Sequence, residues 1–324
     1  MYEQIAANKR KTAILFVLAI VLLGGVGYAI GVLTNSGPAG LVIALVVAIA
    51  MSVGSYLYGD RIVLASTRAK EVSKEEQPRL HNIVEGLAIA AGVPKPRIWI
   101  VPDTDPNAFA TGRDAATASI AVTEGLLGKL SRDELQAVVA HEVAHIRNLD
   151  VRLMTLLAGM VGAIALMSDG LGRMMGRGGR AGARWSGGRG GGSGKGNPLG
   201  ILILVLWLLT LLVAPVVSRL LAMAVSRKRE YLADATGAQL TRNPMALASA
   251  LEKLESATDP TQSITRGAAH LCIVDPAPGV LASKEGFVAD FLGSHPPIRQ
   301  RIIRLHGMAY QQAKRETTAA GSPP

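Results

Sequence analysis

The sequence predicts a mainly α-helical membrane protein carrying a small α+β domain. Three observations predict it. Apolar blocks of bilayer-spanning length recur four times. Short runs bounded by prolines read as strands between helical patterns. Apolar residues then recur at helical spacing around a group of histidines and carboxylates.

The chain has 324 residues, a net charge of +10 and a mean hydropathy of +0.31, high for a soluble protein of this size. Its apolar residues come in blocks. Ala13 to Leu33 is 21 residues without a charge, and Ala39 to Tyr58 is 20 more. Each is long enough to cross a hydrocarbon core of about 30 Å as a helix. Only Thr34 to Pro38 separates them, so they read as a transmembrane hairpin over 1–58. The first is too long for a cleaved leader and lacks a small-residue cleavage site, so it reads as a retained anchor. Lys9, Arg10 and Lys11 precede it, and Arg61, Arg68, Lys70 and Lys74 follow the second. The positive-inside tendency then puts both flanks in the cytoplasm.

Aromatic residues are 4% of the chain, and no basic-aromatic motif appears. The positive charge therefore reads as membrane-flanking, and nucleic acid is excluded as a partner. A single cysteine, Cys272, excludes an intramolecular disulfide and reads as a small buried hydrophobe.

Residues 59–150 form the first half of the α+β domain. Glu71 to Gly92 predicts an amphipathic helix, with Leu80, Ile83, Val84, Leu87 and Ile89 on its apolar side and Pro78 near its start. Arg97 to Val101 predicts a strand bounded by Pro94, Pro96 and Pro102, and Ala118 to Thr123 predicts another. Between them lies Asn107-Ala108-Phe109-Ala110. Asn107, Ala108 and Phe109 are read as an edge strand that an extended peptide could pair with, and equally as an ordinary surface loop.

Ser131 and Glu134 then stand in capping-box register, and Leu135, Val138, Val139, Val143 and Ile146 recur at helical spacing. This helix carries His141-Glu142-Val143-Ala144-His145. Residues four apart on a helix project from one face. His141 and His145 can thus point ring nitrogens at one metal ion, with Glu142 beside them to take a proton from water. That is the pattern of a zinc peptidase. The alternative is an amphipathic helix with two structural histidines.

The chain turns apolar again over 151–217. Val151 to Met167 is 17 residues with one charge, Arg152, and Pro198 to Val217 is a further uncharged block. A glycine- and arginine-rich stretch over 170–197 lies between them and predicts no fixed structure. Two spans would put this basic stretch outside, against the positive-inside tendency. Two spans are nonetheless the reading taken here, with a re-entrant hairpin left open.

Residues 218–310 form the second half of the domain. A catalytic zinc takes three protein ligands and keeps a position open for water. Glu230 and Asp234 share a helix face. Glu230 can supply the third ligand, and Asp234 can accept the free N–H of a ligating histidine. The alternative is a solvated charged helix end beside a membrane.

With these motifs in order, the chain resembles the HtpX-like membrane zinc peptidases, and more distantly the CAAX prenyl protease, over Met1 to about Met308. The resemblance includes Asn107 to Ala110, Val122 to Leu127, and Ser294-His295-Pro296-Pro297 followed by Arg301-Ile302. It implies a zincin-like catalytic domain facing the cytoplasm from the inner membrane. It also implies one zinc per chain held by His141, His145 and Glu230, with Glu142 as base. The implied role is quality control by cleavage of misfolded or damaged membrane proteins, with unfolded polypeptides and the lipid bilayer as partners and the oligomeric state open. The stretch over 170–197 departs from the family in length and charge, and lipid headgroup contact is one reading of it.

His295 at the start of a helix over Ile298 to Met308, with Arg301 a turn or two on, reads either as a donor to the developing oxyanion or as a cap beside a basic surface helix. His81, His270 and His306 receive no role. Residues 311–324 read as a disordered polar tail. Two other functions fit less well. A narrow processing peptidase for lipid-modified or membrane-anchored substrates would favour a cavity enclosed by more than four spans. A non-catalytic scaffold with structural zinc would need a fourth protein ligand, usually cysteine.

Overall fold

The computed structural model describes residues 38–156, 227–257 and 296–320. It also describes single positions at 10, 14, 17, 21, 28, 158 and 268, and the short stretches 263–264 and 271–274. Helix α1 runs Pro38–Ser66 and contains all of the uncharged stretch from Ala39 to Tyr58. Among the described residues no helix is long and apolar enough to cross a membrane. The block from Ala13 to Leu33, the glycine-arginine stretch and the block from Pro198 to Val217 lie outside the described residues, as does nearly all of 151–167 beyond residue 156.

The domain that follows is helical with a small mixed sheet. Strand β1 is Lys70–Glu71, β2 is Arg97–Val101, β3 is Ala108–Thr111 and β4 is Ser119–Thr123, in the order β1-β2-β4-β3. β2 and β4 are parallel, while β1 and β3 flank them antiparallel. Side chains alternate across the pleat. Ile98, Ile120, Val122, Ala108 and Ala110 enter the larger core, and Val101, Ala121 and Phe109 enter a smaller one on the other face. Every residue of β3 and β4 is buried, because both faces are covered.

Helix α2 is Pro78–Ala91, shorter than the stretch predicted from Glu71. Lys70 and Glu71 pair instead with Ile100 and Trp99. Ser73 and Glu76 close the intervening turn by reciprocal side-chain-to-backbone hydrogen bonds. Pro78 starts the helix because its missing N–H costs nothing in the first turn. Ile89, predicted on the buried side, is 76% exposed, and Ala88 and Ala91 take that side. His81 Nε2 lies 3.0 Å from the carbonyl of Val72, a structural contact.

Helix α3 (Glu124–Lys129) is capped by Thr123. Helix α4 (Arg132–Arg147) begins at Ser131 with both halves of the capping box formed. Its Glu134 also binds Ser249 and Lys253 of helix α6 (Pro244–Glu255). Helix α5 (Arg227–Thr241) packs on α4 through Glu230, Ala233, Asp234 and Gly237, all buried. A Cβ on Gly237 would lie 3.1 Å from the backbone nitrogen of His141, so glycine lets the two helices meet there. Helix α7 runs Ile298–Ala320. It therefore continues through most of the stretch expected to be disordered. No Gly or Pro interrupts it after Gly307, and Gln312 bonds both Glu316 and the carbonyl of Arg242.

Candidate metal centre and active site

Helices α4 and α5 bring the central cluster together. The helical register of α4 stacks His141 over His145, with ring centroids 4.7 Å apart. Their Nε2 atoms lie 3.2 Å apart. The Glu230 carboxylate on α5 faces both, 3.7 Å from His141 Nε2 and 3.6 Å from His145 Nε2. These donors lie within 4.8 Å of one another.

The outward nitrogen of each ring meets a carboxylate. His141 Nδ1 is 2.9 Å from Asp234 Oδ1, and His145 Nδ1 is 3.2 Å from Asp150 Oδ2. A neutral imidazole carries one N–H. With that N–H directed to the carboxylate, each Nε2 presents a bare lone pair to the other. Two lone pairs at this separation repel unless a proton or a metal cation lies between them. The rings approach to 3.2 Å and the two Glu230 oxygens lie 3.6 and 3.7 Å from them, so two imidazoles and one carboxylate converge as the three protein ligands of a catalytic zinc do. The residues present therefore fit a tetrahedral divalent metal. The carboxylates favour positive charge at this point: burial opposes a charged His141, yet Asp234 and Glu230 outweigh it and lift its pKa to about 9, so a metal ion would take the place of a proton there.

Each carboxylate is backed by an arginine. Arg301 of α7 donates to both oxygens of Asp234 at 2.9 and 2.7 Å, and to the carbonyl of Ile273 at 2.9 Å. Burial alone would raise the Asp234 pKa, but Arg301 overcomes it and brings it down to about 2. Arg301, expected from the resemblance as a helper at the oxyanion, is placed here against Asp234 and Ile273. Its guanidinium is buried and holds both Asp234 oxygens, so it positions the partner of His141. Arg229 stands behind Asp150 at 4.0 Å.

Glu142 is 1% exposed beside the histidines. Burial raises its pKa, and the backbone N–H of Ala110 in β3 donates to its carboxylate. Its Oε1 has no hydrogen-bond partner, so a proton acceptor faces the small cavity at the site. That cavity measures about 30 Å³ and is lined by His141, Glu142, His145, Glu230, Cys272 and Ile273, among others. It has room for about one or two waters or an ion.

Asn107, Ala108 and Phe109 lead into Ala110, which lines this cavity, but their outer edge is taken. Ile273 N–H donates to the carbonyl of Ala108 at 2.9 Å, Phe109 pairs with Cys272, and Asn107 Nδ2 donates to the carbonyl of Val274 at 3.0 Å. They are therefore neither a surface loop nor a vacant edge in this structure. His295 and His270 lie outside the described residues.

Asp150, Arg229 and Ala110 escaped the sequence reading. Asp150 follows a helix end at Asn148 and Leu149, the latter with φ 57°, so no helical spacing links it to His145. Ala110 acts through its backbone, which has no signature in sequence.

Residues 74–309 match peptidase family M48. The chain is 39% identical over 311 residues to a protease HtpX homolog of Streptococcus gordonii, covering 95% of this chain and 100% of the relative. It is 42% identical over 309 residues to a protease HtpX homolog of Streptococcus pneumoniae strain Hungary19A-6, with the same coverage. The crystal structure of S. mikatae Ste24p overlays with a TM-score of 0.46 at 19% identity, covering 94% of this chain and 67% of that one. With a buried His-His-Glu cluster inside the matched region, the chain belongs to peptidase family M48.

Proposed function

We propose that the chain is a zinc-dependent endopeptidase of the cell membrane that cuts misfolded or damaged membrane proteins from the cytoplasmic side. The observation that carries the chemistry is the pair of Nε2 atoms 3.2 Å apart, each ring tied back by its own aspartate. His141, His145 and Glu230 would hold zinc. When bound, zinc makes water acidic enough to attack near neutral pH and polarises the peptide carbonyl.

The chain's own residues do the rest. Glu142 accepts the proton of the attacking water and returns it to the leaving amine. Burial, by raising the Glu142 pKa, brings its affinity for that proton toward the working pH. Asp234 and Asp150 fix both imidazole tautomers, so Nε2 stays free to bind. The extended substrate would lie along β3, where main-chain pairing reads no particular side chain. Such indifference suits polypeptides recognised because they are unfolded.

Support for the membrane comes from α1. Val42, Val46, Ile49 and Val53 recur at helical spacing and are all at least 41% exposed within the uncharged stretch from Ala39 to Tyr58. A row of bare apolar side chains suits lipid. The basic residues after Tyr58 support the cytoplasmic side.

The test compares two substrates for the detergent-purified protein with zinc: a destabilised membrane protein and a lipid-modified C-terminal peptide. Cleavage of the first at several sites is expected. Cleavage of the peptide alone, at one bond, would replace this reading with a narrow processing peptidase.

A further inference from the structure

Residues 271–274 take up the place beside the metal site that an extended substrate would need. They run antiparallel to β3, with Cys272 opposite Phe109 and Ile273 N–H bound to the carbonyl of Ala108. The segment's next two main-chain groups are also held. Arg301 Nη1 donates to the carbonyl of Ile273 at 2.9 Å, and Asn107 Nδ2 donates to the carbonyl of Val274 at 3.0 Å. Three elements therefore grip the segment by its backbone. These contacts suit any extended peptide, since every residue but proline offers an N–H and every residue a carbonyl.

Position agrees with pairing. Leu271, Cys272 and Ile273 line the cavity that His141, Glu142 and His145 share, and it is left with about 30 Å³. That volume admits water or an ion but no peptide unit. Ala110, one residue beyond the Phe109 pair, directs its N–H at Glu142. The paired segment thus abuts the catalytic carboxylate.

We infer that residues 271–274 form an internal strap that holds the β3 edge in place of substrate, and that cleavage requires the strap to leave. The inference rests on the peptidase reading above. An incoming strand can replace the Ala108, Asn107 and Arg301 contacts one for one, so displacement loses no hydrogen bond. An unfolded polypeptide with a free extended backbone would compete well for this edge. A folded protein, whose backbone groups are already paired, would not. The strap would thereby limit cleavage to unfolded chains.

A disulfide tests this. Phe109 and Cys272 stand opposite each other beside the bond from Ile273 N–H to the Ala108 carbonyl, and in such a pair, which exchanges no bond of its own, the Cα atoms lie about 4.5 Å apart, within disulfide range. Cys272 is the only cysteine in the chain, so Phe109→Cys gives a single pairing. The full-length, zinc-loaded variant is assayed on carboxymethylated lactalbumin, an unfolded protein without free thiols, after oxidised glutathione and again after dithiothreitol. The strap predicts that the oxidised form cuts at least about tenfold more slowly, with unchanged zinc, and recovers on reduction. Equal rates in a fully cross-linked sample would overturn it. Inactivity of the zinc-loaded wild type as well would instead bring down the peptidase reading, and the strap with it.

A second measurement covers a variant that folds poorly. In Glu142→Gln, which binds substrate without cutting it, adding the same unfolded protein should speed amide exchange at Cys272 to Val274. Unchanged or slower exchange there would overturn the strap.

Discussion

Asp150 Oδ2 sits 3.2 Å from His145 Nδ1, five residues further along the chain and beyond the end of the helix that carries the histidine. It does for His145 what Asp234 does for His141 from another helix. Each ring of the candidate metal site is oriented by its own buried carboxylate. Asp150→Asn and Asp234→Asn should each weaken zinc binding by about 10–100-fold, because the free ring can turn and the Nδ1 partner is a weaker acceptor. Competition against a zinc chelator measures this. Unchanged affinity in both variants would remove the aspartates from the site.

Glu230→Ala should cost more, since it deletes a ligand. Bound zinc should fall to background after dialysis, and the melting temperature of the zinc-treated variant should match that of chelator-treated wild type. A variant that still holds stoichiometric zinc would mean that another group completes the site.

Gly237 permits the close approach of α5 to the backbone of α4 at His141. Gly237→Val should destabilise the protein by about 1–3 kcal/mol through overpacking. It should weaken zinc binding as well, because the wedge separates Glu230 from the histidines. Denaturant unfolding and zinc titration read the two effects. Loss of stability with intact zinc affinity would show that the helices separate elsewhere.

Glu134 gives a pH dependence outside the metal site. Burial would raise its pKa, but hydrogen bonds from Lys253, Ser249 and Ser131 prevail and bring it down from 4.5 to about 2. A depressed carboxylate contributes stability that is complete above its unfolded pKa and lost as pH falls through the folded one. The wild type should therefore lose up to about 2 kcal/mol from this group between about pH 4.5 and pH 2. Glu134→Gln should be less stable at pH 7, and its stability should fall less steeply across that window. Parallel pH profiles in thermal unfolding would contradict the assignment.

What the sequence disclosed follows the range of the interactions. The capping box at Ser131, the stacking of His141 on His145 and the pairing of Glu230 with Asp234 on one face are set by three- and four-residue spacings. They can be read without tertiary structure. β1 could not, because two exposed residues carry no alternation. Arg301 showed its charge but not its direction, and burial against Asp234 decides its role. The polar composition of residues 311–324 suggests a tail, whereas α7 continues to residue 320, with Gln312 bonded to Arg242 just past α5 and Thr317 to Ala313. The pairing of Cys272 with Phe109 joins residues more than 160 apart, so no local pattern announces it.

Glu142→Gln separates zinc binding from proton transfer, because it replaces one carboxylate oxygen and leaves every proposed zinc ligand in place. Zinc content and cleavage of an unfolded protein are measured together on detergent-purified wild type and variant. Both should carry about one zinc per chain, and the variant should cut at least about 10²-fold more slowly. Cleavage by Glu142→Gln at the wild-type rate, or wild-type protein that binds no zinc, would contradict the account.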